Sequence, residues 1–466
     1  ALTRYLTRHG AVVIVNDRRQ LEELEDSQNA LKDTTVQWVV GGHPFSILED
    51  IDLVCISGGV PRDLPIVLEA GKQGIQISND SQIFLDVCPC KVVGITGSAG
   101  KTTTTTLVGL IAQAAIEGMN SSSEFEWEIG SGISHIDPGS RIWVGGNIGS
   151  PLISAADQIK PNDLAVMELS SFQLEVMESS PDVAAVLNIT PNHLDRHKSM
   201  KEYIAAKSKI FEFQTSQDEA ILNLDDPAIR NFQDGINGRL VTFSKQETFT
   251  DDPGVYFNPD SQTVQIKIPS ASGGDRIDVI KRSEIPLRGD HNLMNVIAAC
   301  AIALACGISP VAMETGVKNF SGIEHRLEFI RSWGGGDWYN DSIATAPERS
   351  IAAINAFSEP LILLAGGRDK NLPWDTFASL VCERVKHLIL FGEAAGVISA
   401  ALDRYQQEST ISVTYCSGLE EAVKAAATKV TYGDVVLLSP GGTSFDEFID
   451  YEARGEAYRK WVMELV

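Results

Sequence analysis

The sequence predicts an α/β protein in which a central P-loop ATPase domain lies between two Rossmann-like domains. Short apolar runs alternate with helix-like stretches along most of the chain, as they do in parallel-sheet folds. A glycine-rich turn at residues 94–106 separates one apolar run from a helical pattern, which is typical of a phosphate-binding loop. The 466 residues suggest about three domains. We place them at residues 1–90, 91–325 and 326–466.

Composition and charge are those of an ordinary globular chain, with 43% hydrophobic and 21% charged residues. The formal charge of −24 argues against a nucleic-acid partner. No apolar run reaches the ~18 residues of a membrane helix, and no signal peptide opens the sequence. The seven cysteines are scattered, and the close pair Cys88 and Cys90 lacks the second pair of a zinc site. We therefore expect a cytoplasmic protein with reduced thiols and no membrane partner.

The first domain is expected to hold parallel strands at Val12–Val15, Leu53–Ser57 and Ile75–Ser78. At the end of the first strand, Asp17 is placed to hold a ribose hydroxyl and Arg19 a phosphate. A plain charged turn is the alternative interpretation. The first residues show the pattern of a helix that runs into Gly10, so we expect preceding residues, with this domain's own glycine loop, to be missing.

The central glycine loop is the most specific signal in the chain. Glycines let the backbone wrap an anion, and the first N–H groups of the following helix then face it. A P-loop lysine neutralises the outer phosphates, and the next threonine offers its hydroxyl to Mg²⁺. The strict pattern is not met, because Ile95 stands where glycine is expected; the alternative is a glycine turn with a surface lysine. We favour ATP binding, which also explains five consecutive threonines better than helix propensity does. The predicted phosphate site comprises Gly97, Ser98, Gly100, Lys101, Thr102 and Thr103.

Two further apolar runs, Asp163–Leu169 and Asp182–Ile189, read as buried parallel strands that end in polar clusters. Glu168 and His193 fall in these clusters, where ligands of open α/β sheets bind. Taken alone, Glu168 is explained as a helix cap and His193 as a turn histidine. Together with a P-loop they favour a Mg²⁺–nucleotide site.

The rest of the chain completes the α/β pattern. Residues 240–285 predict a small antiparallel appendage to the central domain, and residues 117–140 a polar loop. The last domain is expected to contain strands at Leu361–Ala365, His387–Phe391, Ile411–Tyr415 and Val435–Ser439.

Several stretches, taken together and in this order, resemble the Mur ligases. They are Gly94–Thr103, Glu168–Glu175, Leu187–Asp195, His325–Glu328, Tyr339–Ser342, Gly367–Lys370 and Ser439–Phe448. The resemblance implies domains for a UDP-linked substrate, for ATP and for an amino acid. It also implies a monomeric enzyme that joins D-glutamate to UDP-N-acetylmuramoyl-L-alanine through an acyl phosphate, since Ser170–Glu175 and Ser439–Phe448 resemble the D-glutamate-adding members.

Residue roles follow from the same resemblance. It implies that Lys101 and Thr102 hold phosphate and Mg²⁺, that Glu168 and His193 serve two Mg²⁺ ions, and that Lys207 is carbamylated to bind the second ion. A carbamylated lysine needs a neutral amine, hence a pKa lowered by burial. The implied ATP contacts are Asn292, Asn295, Arg326 and Asp341. The implied UDP-substrate contact is Asn147, and the implied D-glutamate pocket is Thr345, Lys370, Ser444 and Tyr451.

The chain also departs from the family pattern. Ile343 stands where many relatives carry lysine, and Ala346 where asparagine is common, so one cationic contact is lost or is supplied elsewhere. Two alternatives therefore stay open: a sibling Mur or folylpolyglutamate-type ligase that adds another amino acid, and a non-catalytic nucleotide-binding relative.

Overall fold

The structure, a computed structural model, divides into two compact units. The first unit is Ala1–Ile285 with Met294–Phe320, and the second is Pro286–Leu293 with Ser321–Val466. No helix among the described residues is long and apolar enough to cross a membrane. The described residues are 1–121, 136–147, 151–191, 196–197, 199–246, 252–268, 275–320, 322–370, 372–405 and 411–466.

The α/β class is confirmed in both units. Residues 1–90 fall in the same unit as the glycine loop, so the predicted three-domain boundaries stay a prediction. The strands of the first unit are β1 (Ile14–Asp17), β2 (Gln37–Val40), β3 (Leu53–Cys55), β4 (Gln76–Ser78), β5 (Lys91–Thr96), β6 (Ile142–Gly146), β7 (Leu164–Glu168), β8 (Val183–Val186), β9 (Glu219–Asn223), β10 (Arg239–Ser244), β11 (Gly254–Asn258), β12 (Thr263–Ile268) and β13 (Asp275–Lys281).

Ten α-helices accompany these strands among the described residues, the ninth of which continues from the second unit into the first. They are α1 (Leu2–Arg8), α2 (Glu25–Leu31), α3 (Pro65–Lys72), α4 (Asp80–Val87), α5 (Lys101–Ser121), α6 (Ser171–Leu174), α7 (Met200–Glu212), α8 (Pro227–Arg230), α9 (Asp290–Ala305) and α10 (Pro310–Lys318). Short 3₁₀ turns occur at Leu21–Leu24, Phe45–Leu48, Leu152–Ser154, Ala156–Gln158, Gln233–Gly235 and Arg282–Glu284.

Nine strands of the first unit form one sheet, in the order β13-β12-β11-β10-β9-β8-β5-β7-β6. The pairs from β6 to β11 are parallel, and β11, β12 and β13 pair antiparallel. Every residue of β7 and β8 is buried, as expected for strands covered on both faces. The antiparallel segment was predicted correctly, but as an appendage; it extends the main sheet, because β11 pairs directly with β10.

Residues 1–90 form two separate two-stranded parallel sheets, β1–β2 and β3–β4, rather than a single sheet. The predicted first strand is displaced by two residues, because β1 begins at Ile14. The helix predicted before Gly10 is α1, and Gly10 has a φ of 86°, a left-handed value that favours glycine.

The polar loop predicted at residues 117–140 is partly wrong. Residues 117–121 continue helix α5, whose alanine and isoleucine side chains are buried up to Ile116. Asp137 and Ser140 form a turn in which the Asp137 N–H donates to Ser140 Oγ at 2.8 Å. The part of the prediction at 122–135 lies outside the described residues.

The second unit is a six-stranded sheet, in the order β14-β15-β19-β16-β17-β18, with helices on both faces. The four predicted strands are confirmed to within two residues; the hairpin β14–β15 was not predicted. The elements are β14 (Glu328–Trp333), β15 (Gly336–Asn340), α11 (Pro347–Ile354), β16 (Leu361–Gly366), α12 (Asp375–Arg384), β17 (Val385–Phe391), α13 (Ala395–Leu402), β18 (Ser412–Tyr415), α14 (Leu419–Ala427), β19 (Val435–Gly441) and α15 (Tyr451–Glu464).

Candidate functional site

Hydrogen bonds to Asn188, just after β8, fix the position of the glycine loop between β5 and α5. Ser98 N donates to Asn188 O at 2.9 Å, and the Asn188 amide brackets Ala99, accepting from its N–H at 2.8 Å and donating to its carbonyl at 3.0 Å. Gly100 has a φ of 82°, a conformation that favours glycine. The loop therefore stands at the carboxyl edge of the sheet with the first turn of α5 behind it.

Two lysines converge on the carbonyl of one loop glycine. Lys101 Nζ and Lys207 Nζ each donate to Gly97 O at 2.9 Å, and Lys207 Nζ also lies 3.3 Å from Thr96 Oγ1. Lys207, on α7, lies over the Tyr203 ring, with Nζ 4.8 Å from the ring centroid. Two lysine amines therefore meet where the sequence predicts phosphate.

Burial sets the protonation of Lys207, of which only 1% is exposed. Desolvation, and then the charge of Lys101, lowers the pKa of Lys207 to about 7, while Glu168 opposes the shift. Near neutral pH a large fraction of this amine is neutral, which is the condition that carbamylation requires.

Glu168, the last residue of β7, accepts two hydrogen bonds from predicted site residues. Thr102 Oγ1 donates to Glu168 Oε2 and Asn147 Nδ2 donates to Glu168 Oε1, both at 2.9 Å. Glu168 is 2% exposed. Thr102, Glu168 and Asn147 thus form one oxygen-rich cluster beside the loop. The prediction for His193 lies outside the described residues.

Only part of the threonine run faces the loop. Thr103, Thr104 and Thr105 are buried, and the Thr104 and Thr105 hydroxyls have no hydrogen-bond partner within the described chain. Thr106 Oγ1 donates to Thr102 O at 2.9 Å, within the helix. The explanation of the whole run by anion binding is therefore wrong for Thr104 and Thr105, which are buried, and for Thr106, whose hydroxyl bonds within the helix. Thr103 stays a predicted phosphate contact.

The stretch after β7 forms α6, which opens with a capping box between Ser170 and Gln173. Ser171 Oγ lies 2.9 Å from His197 Nε2, and His197 Nδ1 lies 3.1 Å from Glu175 Oε1. The His197 ring stacks on Phe172, with centroids 5.2 Å apart. These contacts of His197 fix α6 against the segment that leads into α7.

The two asparagines predicted to contact ATP fall in different units. In the first unit Asn295 lies beside the loop, since a Cβ added to Gly100 would overlap Asn295 Oδ1. In the second unit Asn292 Nδ2 donates to Arg288 O at 2.8 Å.

In the second unit, Asp341 follows β15 and is buried. Its carboxylate accepts from Ser439 Oγ at 2.8 Å and from Leu327 N at 3.2 Å. Burial raises the pKa of Asp341 to about 7, and these bonds and the charges of Arg326 and Arg349 oppose the rise. The structure therefore brings Arg326 and Asp341 together, as expected if they act on one ligand.

The four predicted D-glutamate residues follow three adjacent parallel strands. Thr345 comes after β15, Lys370 after β16, and Ser444 and Tyr451 after β19. Parallel strands end at one edge of a sheet, so these residues share that edge. Tyr451 O accepts from Ser342 Oγ at 2.8 Å, which joins two of the three loops.

Arg349 lies on the same edge, although the sequence analysis did not select it. Its NH1 donates to Ile343 O at 3.2 Å. Partial burial, and then the charge of Arg349, lowers the pKa of Lys370. Arg349 therefore contributes positive charge next to Ile343 and Lys370.

The two residues predicted to hold the uridine nucleotide pair with each other. Arg19 donates to Asp17 from Nε at 3.1 Å and from NH2 at 2.9 Å, which lowers the pKa of Asp17 to about 2. Asp17 ends β1, as the prediction requires. The pair also satisfies the alternative, a charged turn, so its ligand role stays a prediction.

Two loop-shaping residues were missed. Asn188 braces Ala99, and Tyr203 OH lies 2.9 Å from Ser98 Oγ while its ring supports Lys207. The position of Asn188 after a buried strand could have indicated a role at the loop. Nothing in the sequence pattern distinguished Tyr203 from an ordinary core residue.

Comparison with known proteins gives the same assignment in both units. Residues 95–303 match the Mur ligase middle domain, and residues 325–442 match the Mur ligase glutamate ligase domain. The chain is 36% identical over 465 residues to the UDP-N-acetylmuramoylalanine–D-glutamate ligase of Acetivibrio thermocellus, covering 99% of this chain and 93% of that protein. It is 39% identical over 466 residues to the Symbiobacterium thermophilum enzyme of the same name, covering 100% and 95%.

Solved structures share the fold at low sequence identity. A MurF crystal structure from Acinetobacter baumannii aligns with a TM-score of 0.59 and 17% identity, over 99% of this chain and 98% of that one. MurF of Thermotoga maritima in complex with ADP aligns with a TM-score of 0.57 and 15% identity, over 98% and 96%. With both domain models and full-length relatives in agreement, the chain belongs to the Mur ligase family.

Proposed function

We propose that this chain, an ATP-dependent ligase of peptidoglycan precursor synthesis, joins D-glutamate to UDP-N-acetylmuramoyl-L-alanine. The observation that carries the proposal is the meeting of Lys101, Lys207, Thr102 and Glu168 around one glycine loop. The full-length relatives named for this reaction support the choice of substrates. We further propose that it acts as a monomer in the cytoplasm, without nucleic-acid or membrane partners.

The chemistry follows from the weakness of a carboxylate as an acyl donor. A carboxylate oxygen of the UDP-linked alanine attacks the γ-phosphorus of ATP, ADP leaves, and an acyl phosphate forms. The D-glutamate amine then attacks the carbonyl carbon and forms the C–N bond of the amide, the nitrogen loses a proton, the C–O bond breaks, and phosphate departs with that oxygen. Charge builds on the phosphoryl oxygens in the first step and on the carbonyl oxygen in the second, and we propose that Lys101 and the first N–H groups of α5 stabilise it.

The residues beside the loop fit Mg²⁺. Thr102 Oγ1 and the Glu168 carboxylate are hard oxygen ligands within one hydrogen-bonded cluster. When bound, Mg²⁺ would neutralise phosphate charge there. Lys207 cannot ligate as an ammonium ion. Its buried, partly neutral amine supports the proposal that carbamylation converts it into an oxygen ligand for a second ion, and His193 stays a proposed ligand.

The second unit supplies the features that an anionic amino acid needs. D-Glutamate carries two carboxylates, and Lys370 and Arg349 offer two cations at the carboxyl edge of the second sheet. Thr345 and Ser444 provide hydroxyls on the neighbouring loops. We propose that Arg349 supplies the positive charge that Ile343 does not.

Phosphate release from ATP tests this assignment. The assay contains Mg²⁺ and UDP-N-acetylmuramoyl-L-alanine, and D-glutamate, L-glutamate, L-alanine or diaminopimelate is added separately. We expect release to depend on D-glutamate. Faster release with another amino acid would favour the sibling-ligase alternative. Absence of release with all of them, from protein that still binds ATP, would favour a non-catalytic relative.

A further inference from the structure

A pair of thiols that the proposed reaction does not use lies at the amino end of the inner strand β5, opposite to the end that carries the glycine loop. Cys88 follows α4 and Cys90 precedes β5, and their sulfur atoms lie 3.5 Å apart. The glycine loop follows the carboxyl end of β5, so the thiols stand at the other end of that strand. They are therefore separate from the phosphate site.

A cavity of about 560 Å³ opens beside this pair. Its lining includes both cysteines together with Lys91, Asn162 and Asp182, which lie at or just before the starts of β5, β7 and β8. Cys88 is partly exposed and Cys90 is buried. A small reagent therefore has a route to Cys88 first.

The intervening Pro89 holds the two thiols close together. Proline fixes its own φ and removes a backbone donor, so the three-residue segment has few conformations. The Cys88 N–H is anchored to Phe84 O at 2.9 Å, and on the other side Val92 N donates to Asp182 Oδ2 at 2.8 Å. The contact between the sulfurs is thus imposed by α4 and β5.

We propose that Cys88 and Cys90 form a redox-modifiable dithiol that closes to an intramolecular disulfide. The oxidant is a low-molecular-weight disulfide. The Cys88 thiolate attacks one of its sulfurs, and one thiol leaves as the mixed disulfide forms. Cys90, losing its proton, then attacks Cys88 Sγ and releases the second thiol. Two protein thiols are oxidised and one reagent disulfide is reduced, so electrons and protons balance.

Electrostatics agrees with this order of attack. The Cys90 thiol and backbone next to Cys88 lower the pKa of Cys88, while its neighbour and burial raise the pKa of Cys90. Burial raises the pKa of Cys300 and Cys306 to about 12, so these two provide internal controls. The partial exposure of Cys88 and its lowered pKa both favour reaction at Cys88 over the two buried controls.

The test uses the full chain treated with oxidised glutathione, followed by mass spectrometry of the intact protein and its peptides. We expect the wild type to lose the mass of two hydrogen atoms within the Cys88–Cys90 peptide. Cys90→Ser should retain a glutathione adduct on Cys88, and Cys88→Ser should stay unmodified at Cys90. Cys300 and Cys306 should remain reduced in all three proteins.

Two results would overturn the proposal. One is a stable glutathione adduct on Cys88 of the wild type with no internal disulfide. The other is a Cys88 that reacts no faster with iodoacetamide than Cys300 and Cys306. Urea unfolding of each variant checks that both serine variants are folded, and Cys88→Ala replaces Cys88→Ser if that variant is not.

Discussion

The buried amine of Lys207 should make the protein less stable at low pH than a variant without it. Replacement of Lys207 by methionine keeps the length of the side chain and removes the titrating group. The folded-state pKa of about 7 lies below the ordinary value of 10.5. The unfolded chain therefore binds more protons between these values, and stability rises with pH across them.

The magnitude follows from the size of the shift. A pKa lowered from 10.5 to about 7 corresponds to about 5 kcal/mol. The wild type should therefore gain about 3 kcal/mol in its free energy of unfolding between about pH 6 and pH 9. The Lys207→Met variant lacks this dependence, so its advantage over the wild type should be largest at pH 6 and should shrink as the pH rises.

Urea unfolding at several pH values, without added bicarbonate, measures this difference. Turnover by Lys207→Met should be lost at the same time, because the loop loses the amine that is proposed to be carbamylated. Parallel stability profiles for the two proteins would refute the assignment of a lowered pKa. Lys201→Met, at an exposed position on the same helix, provides the matched control.

Three further predictions concern the two sites. Lys101→Ala should lower kcat on the order of a hundredfold or more, measured as phosphate release; full activity would remove Lys101 from the phosphate site. Arg349→Gln should raise the KM for D-glutamate about tenfold or more with little change in kcat, and Lys370→Ala should do the same. The control Arg404→Gln should leave the KM unchanged. An unaltered KM in Arg349→Gln would exclude Arg349 from the pocket. Burial raises the pKa of Asp341 from an ordinary 3.8 to about 7 in the folded protein, so stability should fall as pH rises across this window, by up to about 4 kcal/mol. Asp341→Asn should flatten this part of the urea-unfolding profile, and an unchanged profile would contradict the shift.

The sequence predicted those features that depend on strand ends. Glu168 and Lys101 were placed correctly at one edge, because parallel apolar strands followed by polar residues fix where a ligand site falls. Other features depend on tertiary packing. No local pattern distinguishes the 1% exposed Lys207 from a solvated helix lysine. The pairing of β11 with β10, which joins the antiparallel strands to the main sheet, is a long-range contact of the same kind.

The proposed amino-acid site shows the same division between strand ends and tertiary packing. Lys370 and Ser444 follow strands that the apolar pattern reveals, so their shared edge was predictable. The position of Arg349 was not predictable, because it depends on the turn that brings the guanidinium to Ile343 O. Nor was the hairpin of β14 and β15, whose turn at Gly334 and Gly335 uses φ values of 66° and 86°.

Oxygen transfer tests the central claim most directly. UDP-N-acetylmuramoyl-L-alanine labelled with oxygen-18 in its terminal carboxylate is incubated with the enzyme, ATP, Mg²⁺ and D-glutamate, and the released phosphate is analysed by mass spectrometry. An acyl phosphate formed at the glycine loop predicts phosphate that carries one labelled oxygen from the carboxylate. Unlabelled phosphate, released at the same rate as the peptide product, would contradict the account.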